Sequence, residues 1–286
     1  MRLTESITNQ SKINLTKKHY ENFTVGSLIL GKDMREAITT LYAFARLGDD
    51  IADEGSRSKK ERLNAIDYLR TQLKKIEFNQ KITDPYFIIL KKIINKYHIK
   101  INNLYKLIKA FNEDINHQNY KKFDRLLKYC DQAANPAGEL ILSLVKQDNK
   151  ENIRRSNAIC TSLALINFAQ GVAEDFEKNR IYFPKDEMKK FNLKIKDIEE
   201  KNFSPQWINY KKFWIQRNYR ILKKGLGLGK RIKGRLGIEI SMIELAAVLL
   251  LKKMKKNDCN LFTHPPKINT LDWIFIFFKA VILRPL

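Results

Sequence analysis

The chain has 286 residues, 44% hydrophobic and 30% charged, which excludes an intrinsically disordered chain and supports a packed core. Its 54 Lys and Arg against 31 Asp and Glu give a formal charge of +23, so its expected partners are anionic: nucleic acid, an acidic membrane surface or a phosphorylated substrate. The basic residues are spread along the whole chain, without zinc-finger spacing, an RNP-like aromatic strand or a basic helix leading into heptads, and nucleic acid is not the expected partner.

Gly and Pro are scarce and the apolar periodicity is mostly helical, which predicts an all-α fold. No composition break marks a domain boundary, and a single domain over 1–286 is expected. The first 23 residues carry no apolar h-region, so no signal peptide is expected. Cys130, Cys160 and Cys259 lack CxxC spacing and read as reduced thiols of a cytoplasmic protein.

Helices are predicted at about 34–54, 60–78, 84–97, 101–117, 122–146, 151–176, 205–224, 236–255 and 270–283. The first ends in "FARLGDDIADEG" (44–55), an acidic knot in a basic chain. On its helix Tyr42, Arg46, Asp49 and Asp53 step by four, three and four, stacking an aromatic, a cation and two carboxylates along one stripe. A solvated helix face is the plain alternative. The substantial apolar face upstream argues instead for a stripe that binds through a divalent cation.

"GSRSKKER" (55–62) reads as a turn with an N-cap serine. Asn135-Pro136 within 122–146 should break or kink that helix. In 151–176, Asn167, Gly171 and Asp175 share a face, Glu174 lies beside them, and Arg180 and Tyr182 follow in a loop. An oxygen-donor face there, opposed to Asp49 and Asp53, would let two helices share Mg²⁺. Residues 179–205, bounded by prolines, form the longest irregular stretch. Gly225, Gly227 and Gly229 have no preceding strand and read as a flexible helix end rather than a phosphate loop. His19, His98, His117 and His264 show no metal-ligand spacing. The apolar "LDWIFIFFKAVILRPL" (271–286) is too short to span a bilayer and carries Lys279; it reads as a core helix or as an interfacial foot.

"YAFARLGDDIADE" and "NFAQGVAEDFEKNRIYFP" resemble the two signature regions of the squalene/phytoene synthase family. "HYENFTVGSLIL" (19–30) and "YCDQAANPAGELIL" (129–142) are similar to its bacterial hydroxysqualene synthase branch, and the resemblance covers about 19–245. It implies a single-domain isoprenoid synthase bundle around a central apolar cavity. It implies that Asp49 and Asp53 hold Mg²⁺ against a prenyl diphosphate, that Arg46 touches the diphosphate, and that Asn167 and Asp175 are further metal ligands. Arg180 would add positive charge near the leaving group. Tyr42, Tyr129, Ala134 and Gly138 would line the cavity.

The sequence departs from the family at Gly171, where a metal-ligand Asp is expected, at Ala164 in place of a glutamine, and at Gly31 in place of a proline. Three readings follow. The leading one is an Mg²⁺-dependent enzyme of squalene and hopanoid biosynthesis, converting presqualene diphosphate to hydroxysqualene with release of diphosphate. The second is a head-to-head prenyl transferase making presqualene diphosphate or phytoene. The third is a non-catalytic relative, which Gly171 favours. A lipid-like substrate, the net charge and the apolar C-terminal segment together predict a cytoplasmic protein bound peripherally to an anionic inner membrane face.

Overall fold

The computed structural model describes residues 32–116, 119–256 and 258–282. It is all-helical, with no strand among the described residues. The residues gather into two compact units.

The first unit holds residues up to 116 together with 139–148. It is built from α1 (Lys32–Asp53), α2 (Lys59–Glu77), α3 (Pro85–Tyr97) and α4 (Asn102–Ile115). Phe44, Leu47 and Ile51 of α1 pack into a core with Leu69 and Leu73 of α2, Leu90 of α3, and Leu104, Ile108 and Phe111 of α4. Local chemistry sets the helix ends. Ser58 caps α2 in a capping box: its Oγ accepts the Glu61 N–H at 3.3 Å, and Glu61 Oε2 accepts the Ser58 N–H at 2.8 Å. Asp84 caps α3 ahead of Pro85 by accepting the Tyr86 N–H at 3.0 Å.

The second unit holds 119–138 and residues from 149 onward. Its helices are α5 (Phe123–Ala133), α6 (Asn135–Leu144, whose later turns belong to the first unit), α7 (Lys150–Gln170), α8 (Val172–Glu177), α9 (Lys185–Lys190), α10 (Ile195–Glu199), α11 (Pro205–Lys223), α12 (Leu228–Arg231), α13 (Gly234–Met254) and α14 (Thr270–Ile282). α7 packs against α5, α11 and α13, so it is buried on several sides rather than along one stripe. Trp214 and Asn218 of α11 donate to the α7 carbonyls of Leu165 (3.0 Å) and Ser162 (3.1 Å), satisfying polar groups deep in this packing.

One expected break is seen, and two departures from the predicted elements have physical causes. The 122–146 helix is broken at Ala134, ahead of Asn135-Pro136, as the missing proline N–H requires. The 151–176 helix is interrupted at Gly171, which therefore stands at a junction rather than inside a regular helix. The 179–205 stretch contains α9 and α10, each too short to leave a clear periodic signal.

Candidate functional site

The acidic knot sits at the C-terminal end of α1. Its placement depends on Gly48, where a Cβ would fall 2.0 Å from the ring of Phe111, so only glycine lets α4 approach this closely. Beyond the knot, Arg62 of α2 closes the helix end. Its guanidinium donates to the carbonyls of Ile51 (2.6 Å) and Gly55 (2.9 Å), which lack helical partners.

Tyr42, Arg46, Asp49 and Asp53 lie along α1 as their spacing predicts, with the two aspartates exposed and Tyr42 and Arg46 half-buried. Arg46 Nη2 pairs with Asp50 at 2.7 Å and with Glu54 at 2.5 Å. Burial alone would lower the Arg46 pKa, but the charges of Asp50, Glu54 and Asp49, with Tyr42, hold it above its ordinary value. These pairs are largely solvent-screened and worth at most about 1 kcal/mol each, so an incoming anion can displace them cheaply.

In the second unit, Asn167 is exposed near the end of α7 and Asp175 is half-buried on α8. Across the interruption two helical hydrogen bonds still bracket residue 171: the Gly171 N–H donates to Asn167 O at 2.7 Å, and the Asp175 N–H donates to Gly171 O at 2.8 Å. The shared face of 167, 171 and 175 is therefore kept. α8 ends at left-handed Asn179, and the Arg180 N–H returns to Asp175 O at 2.8 Å. Asp175 and Arg180 line one small cleft together with Phe168 and Tyr182.

Tyr129 is buried beside that cleft within an aromatic cluster. Phe168 and Tyr182 stack at 3.9 Å and 7°, and Tyr129 lies 6.2 Å and 6.0 Å from them, with Tyr120 a further 5.6 Å from Tyr129. Ala134 is the half-buried cap of α5. At Gly138 a Cβ would fall 2.2 Å from Ser156 Oγ, so this glycine is required for the approach of α6 to α7. Asn135 is fixed by Thr161, whose hydroxyl donates to Asn135 Oδ1 at 3.0 Å.

Sequence reasoning missed several members. Phe168 and Tyr120 complete the aromatic cluster; Phe168 adjoins Asn167 in the second signature, which was the available signal. Glu187 of α9, which follows the loop bearing Arg180 and Tyr182, forms a two-pronged ion pair with Arg217 of α11, and Arg217 lies 3.4 Å over the Phe123 ring. The glycine loop also surprises. The N–H groups of Gly227 and Gly229 do cradle an anion, each at 2.9 Å, but that anion is the chain's own Glu244 carboxylate.

Among the described residues no group of three or more His, Cys, Asp or Glu side chains gathers into a metal cage. His19, His117, Gly31 and the segment 19–30 lie outside the described residues.

Comparisons with known proteins show the family and the fold of the chain. The chain is 29% identical over 283 residues to the hydroxysqualene synthase of Zymomonas mobilis subsp. mobilis, covering 95% of this chain and 93% of that protein. Its fold matches the crystal structure of squalene synthase HpnC from Alicyclobacillus acidocaldarius with a TM-score of 0.77 at 26% identity, covering 88% of this chain and 96% of that one. A dehydrosqualene synthase in complex with ligand shares the fold, with a TM-score of 0.83 at 16% identity and 98% of each chain covered. The squalene/phytoene synthase profile matches residues 16–272, through both units, and the chain belongs to that family of isoprenoid synthases.

Proposed function

We propose that the protein is a hydroxysqualene synthase, converting presqualene diphosphate and water to hydroxysqualene, diphosphate and a proton. The observation that carries this reading is the stripe of Tyr42, Arg46, Asp49 and Asp53, held in register by Gly48, in a chain similar over 95% of its length to a hydroxysqualene synthase. In this reading Asp49 and Asp53 are Mg²⁺ ligands, and Asn167 and Asp175 are further ligands. The donor set fits Mg²⁺ bound together with a diphosphate rather than alone, because this cation keeps several waters and takes one or two carboxylates plus phosphate oxygens. Bound there, Mg²⁺ would neutralise charge on the leaving oxygens.

The chain's own residues do the rest. Arg46 exchanges Asp50 and Glu54 for the diphosphate, and Arg180 adds a second positive charge as the carbon–oxygen bond breaks with its electron pair going to the leaving group. Tyr129, Phe168 and Tyr182 present ring faces that stabilise the resulting carbocation and keep bulk water out until the rearranged cation is captured. Ala134, a small side chain at the α5–α6 break, leaves room for an isoprenoid chain, while Gly138 lets α6 close against α7.

The test is separate incubation with presqualene diphosphate and with farnesyl diphosphate, each with Mg²⁺, followed by product identification. Hydroxysqualene from presqualene diphosphate supports the reading. Presqualene diphosphate formed from farnesyl diphosphate would assign a head-to-head condensing enzyme instead. A second reading, a non-catalytic relative, rests on Gly171 and predicts no product from any of these substrates.

A further inference from the structure

No described helix is long and apolar enough to cross a membrane. α14 nevertheless carries much of the exposed large apolar surface of the described chain. Only Ile276 (2% exposed) and Ala280 (0%) are buried, against α13. On the opposite side Leu271, Ile274, Phe275, Phe278 and Ile282 form one stripe, with Phe275 63% and Ile282 77% exposed. A 13-residue helix gives this stripe a length of about 20 Å. A continuous apolar strip of this kind on a folded surface has an interaction to explain it.

Charge identifies the partner. The first turn of α14 is tied to the last turn of α13 by Lys253, which pairs with Asp272 and donates to the Lys267 carbonyl at 3.0 Å. This tie sets the exposed Lys252, Lys255 and Lys256 beside the start of the apolar stripe, with exposed Lys267 in the same connection. Lys279, at the stripe's edge, holds its ammonium 5.7 Å from the Phe275 ring centre, as a snorkelling lysine does. Asp272 is already engaged by Lys253, so the local excess is cationic.

We propose that the outer face of α14 is a membrane-interface foot for an anionic bilayer, its apolar stripe entering the headgroup–acyl boundary and its flanking lysines remaining among the headgroups. Apolar insertion supplies the anchoring, and the lysines supply selectivity for acidic lipids and a dependence on salt. The proposal stands independently of which diphosphate the enzyme uses.

The experiment is sedimentation of the full chain with vesicles of phosphatidylcholine alone, and with vesicles containing about a third phosphatidylglycerol, at low and high salt. The expected result is binding to the anionic vesicles, weakened at high salt. Phe275→Ser with Phe278→Ser should reduce it at least tenfold with an unchanged melting temperature, since both side chains are exposed. Lys255→Glu with Lys256→Glu should remove most of the preference for anionic vesicles. Absence of vesicle binding by the wild type overturns the proposal, as does equal binding by the phenylalanine variant. A wild-type dimer that the phenylalanine variant converts to monomer, without vesicle binding, assigns the face to a second copy and also overturns it.

Discussion

The carboxylate of Asp175 lies over the α-carbon of Gly171, so that a Cβ at residue 171 would sit 3.1 Å from Asp175 Oδ2. A second carboxylate introduced at 171 would face the first across a few ångströms. Their repulsion amounts to up to about 4 kcal/mol at a near-surface dielectric, less with solvent access. Gly171→Asp should therefore melt below the isosteric Gly171→Asn without Mg²⁺, and adding Mg²⁺ should close the gap. The Mg²⁺ concentration for half-maximal activity should fall. Melting curves with and without Mg²⁺ check this; a gap that Mg²⁺ leaves untouched would show that residues 171 and 175 do not share a cation.

Asp49 and Asp53 are exposed at the end of α1, so replacing either with Asn should leave stability within about 0.5 kcal/mol of wild type. Turnover should fall by about 10²–10³-fold or more for each, the usual cost of losing one preorganised electrostatic contact. Steady-state kinetics beside thermal melts separate the two effects. Near-normal turnover in either variant would remove that residue from the site.

Gly48→Ala drives a methyl into the Phe111 ring, which is 3% exposed and has little room to yield. Overpacking of this kind should cost about 1–3 kcal/mol. Phe111→Leu on the same background should recover part of the loss. Urea unfolding of both single variants and the double variant reads the coupling directly; strictly additive losses would contradict contact between these residues.

The helical class and the stripe on α1 were legible because both rest on periodicity, which survives without tertiary information. Asn135-Pro136 announced its break for the same local reason. Gly48 and Gly138 were visible as letters, but their purpose, close approach to Phe111 and to Ser156, depends on residues 63 and 18 positions away in the chain. Glu187 and Arg217 are 30 positions apart, and nothing local marks them as partners. The glycine loop read as a helix end because the anion that fills it is supplied by Glu244, one helix later. The pairing of Arg46 with Asp50 and Glu54, rather than an even share across the stripe, also needed side-chain geometry.

Burial raises the Glu244 pKa above its ordinary 4.5, although the N–H groups of Gly229, Gly227 and Leu228, and Arg155, pull the other way. Folding thus takes up a proton between the unfolded value and the higher folded one. Its contribution to stability is full below the unfolded pKa and is lost as pH rises through the folded pKa. Glu244→Gln should flatten that part of the stability–pH curve, and Glu244→Ala should cost about 1–3 kcal/mol by leaving buried N–H groups without acceptors. Urea midpoints measured from pH 4 upward test both; an unchanged slope in Glu244→Gln would assign the pH dependence to another group.

The central claim is that this chain lets water capture a carbocation after diphosphate leaves. Turnover of presqualene diphosphate with Mg²⁺ in ¹⁸O-labelled water, followed by mass spectrometry of the product, tests it most directly. The account predicts hydroxysqualene carrying the solvent oxygen, formed as diphosphate is released. Diphosphate release without any labelled alcohol, or an alcohol whose oxygen comes from the substrate, would contradict it.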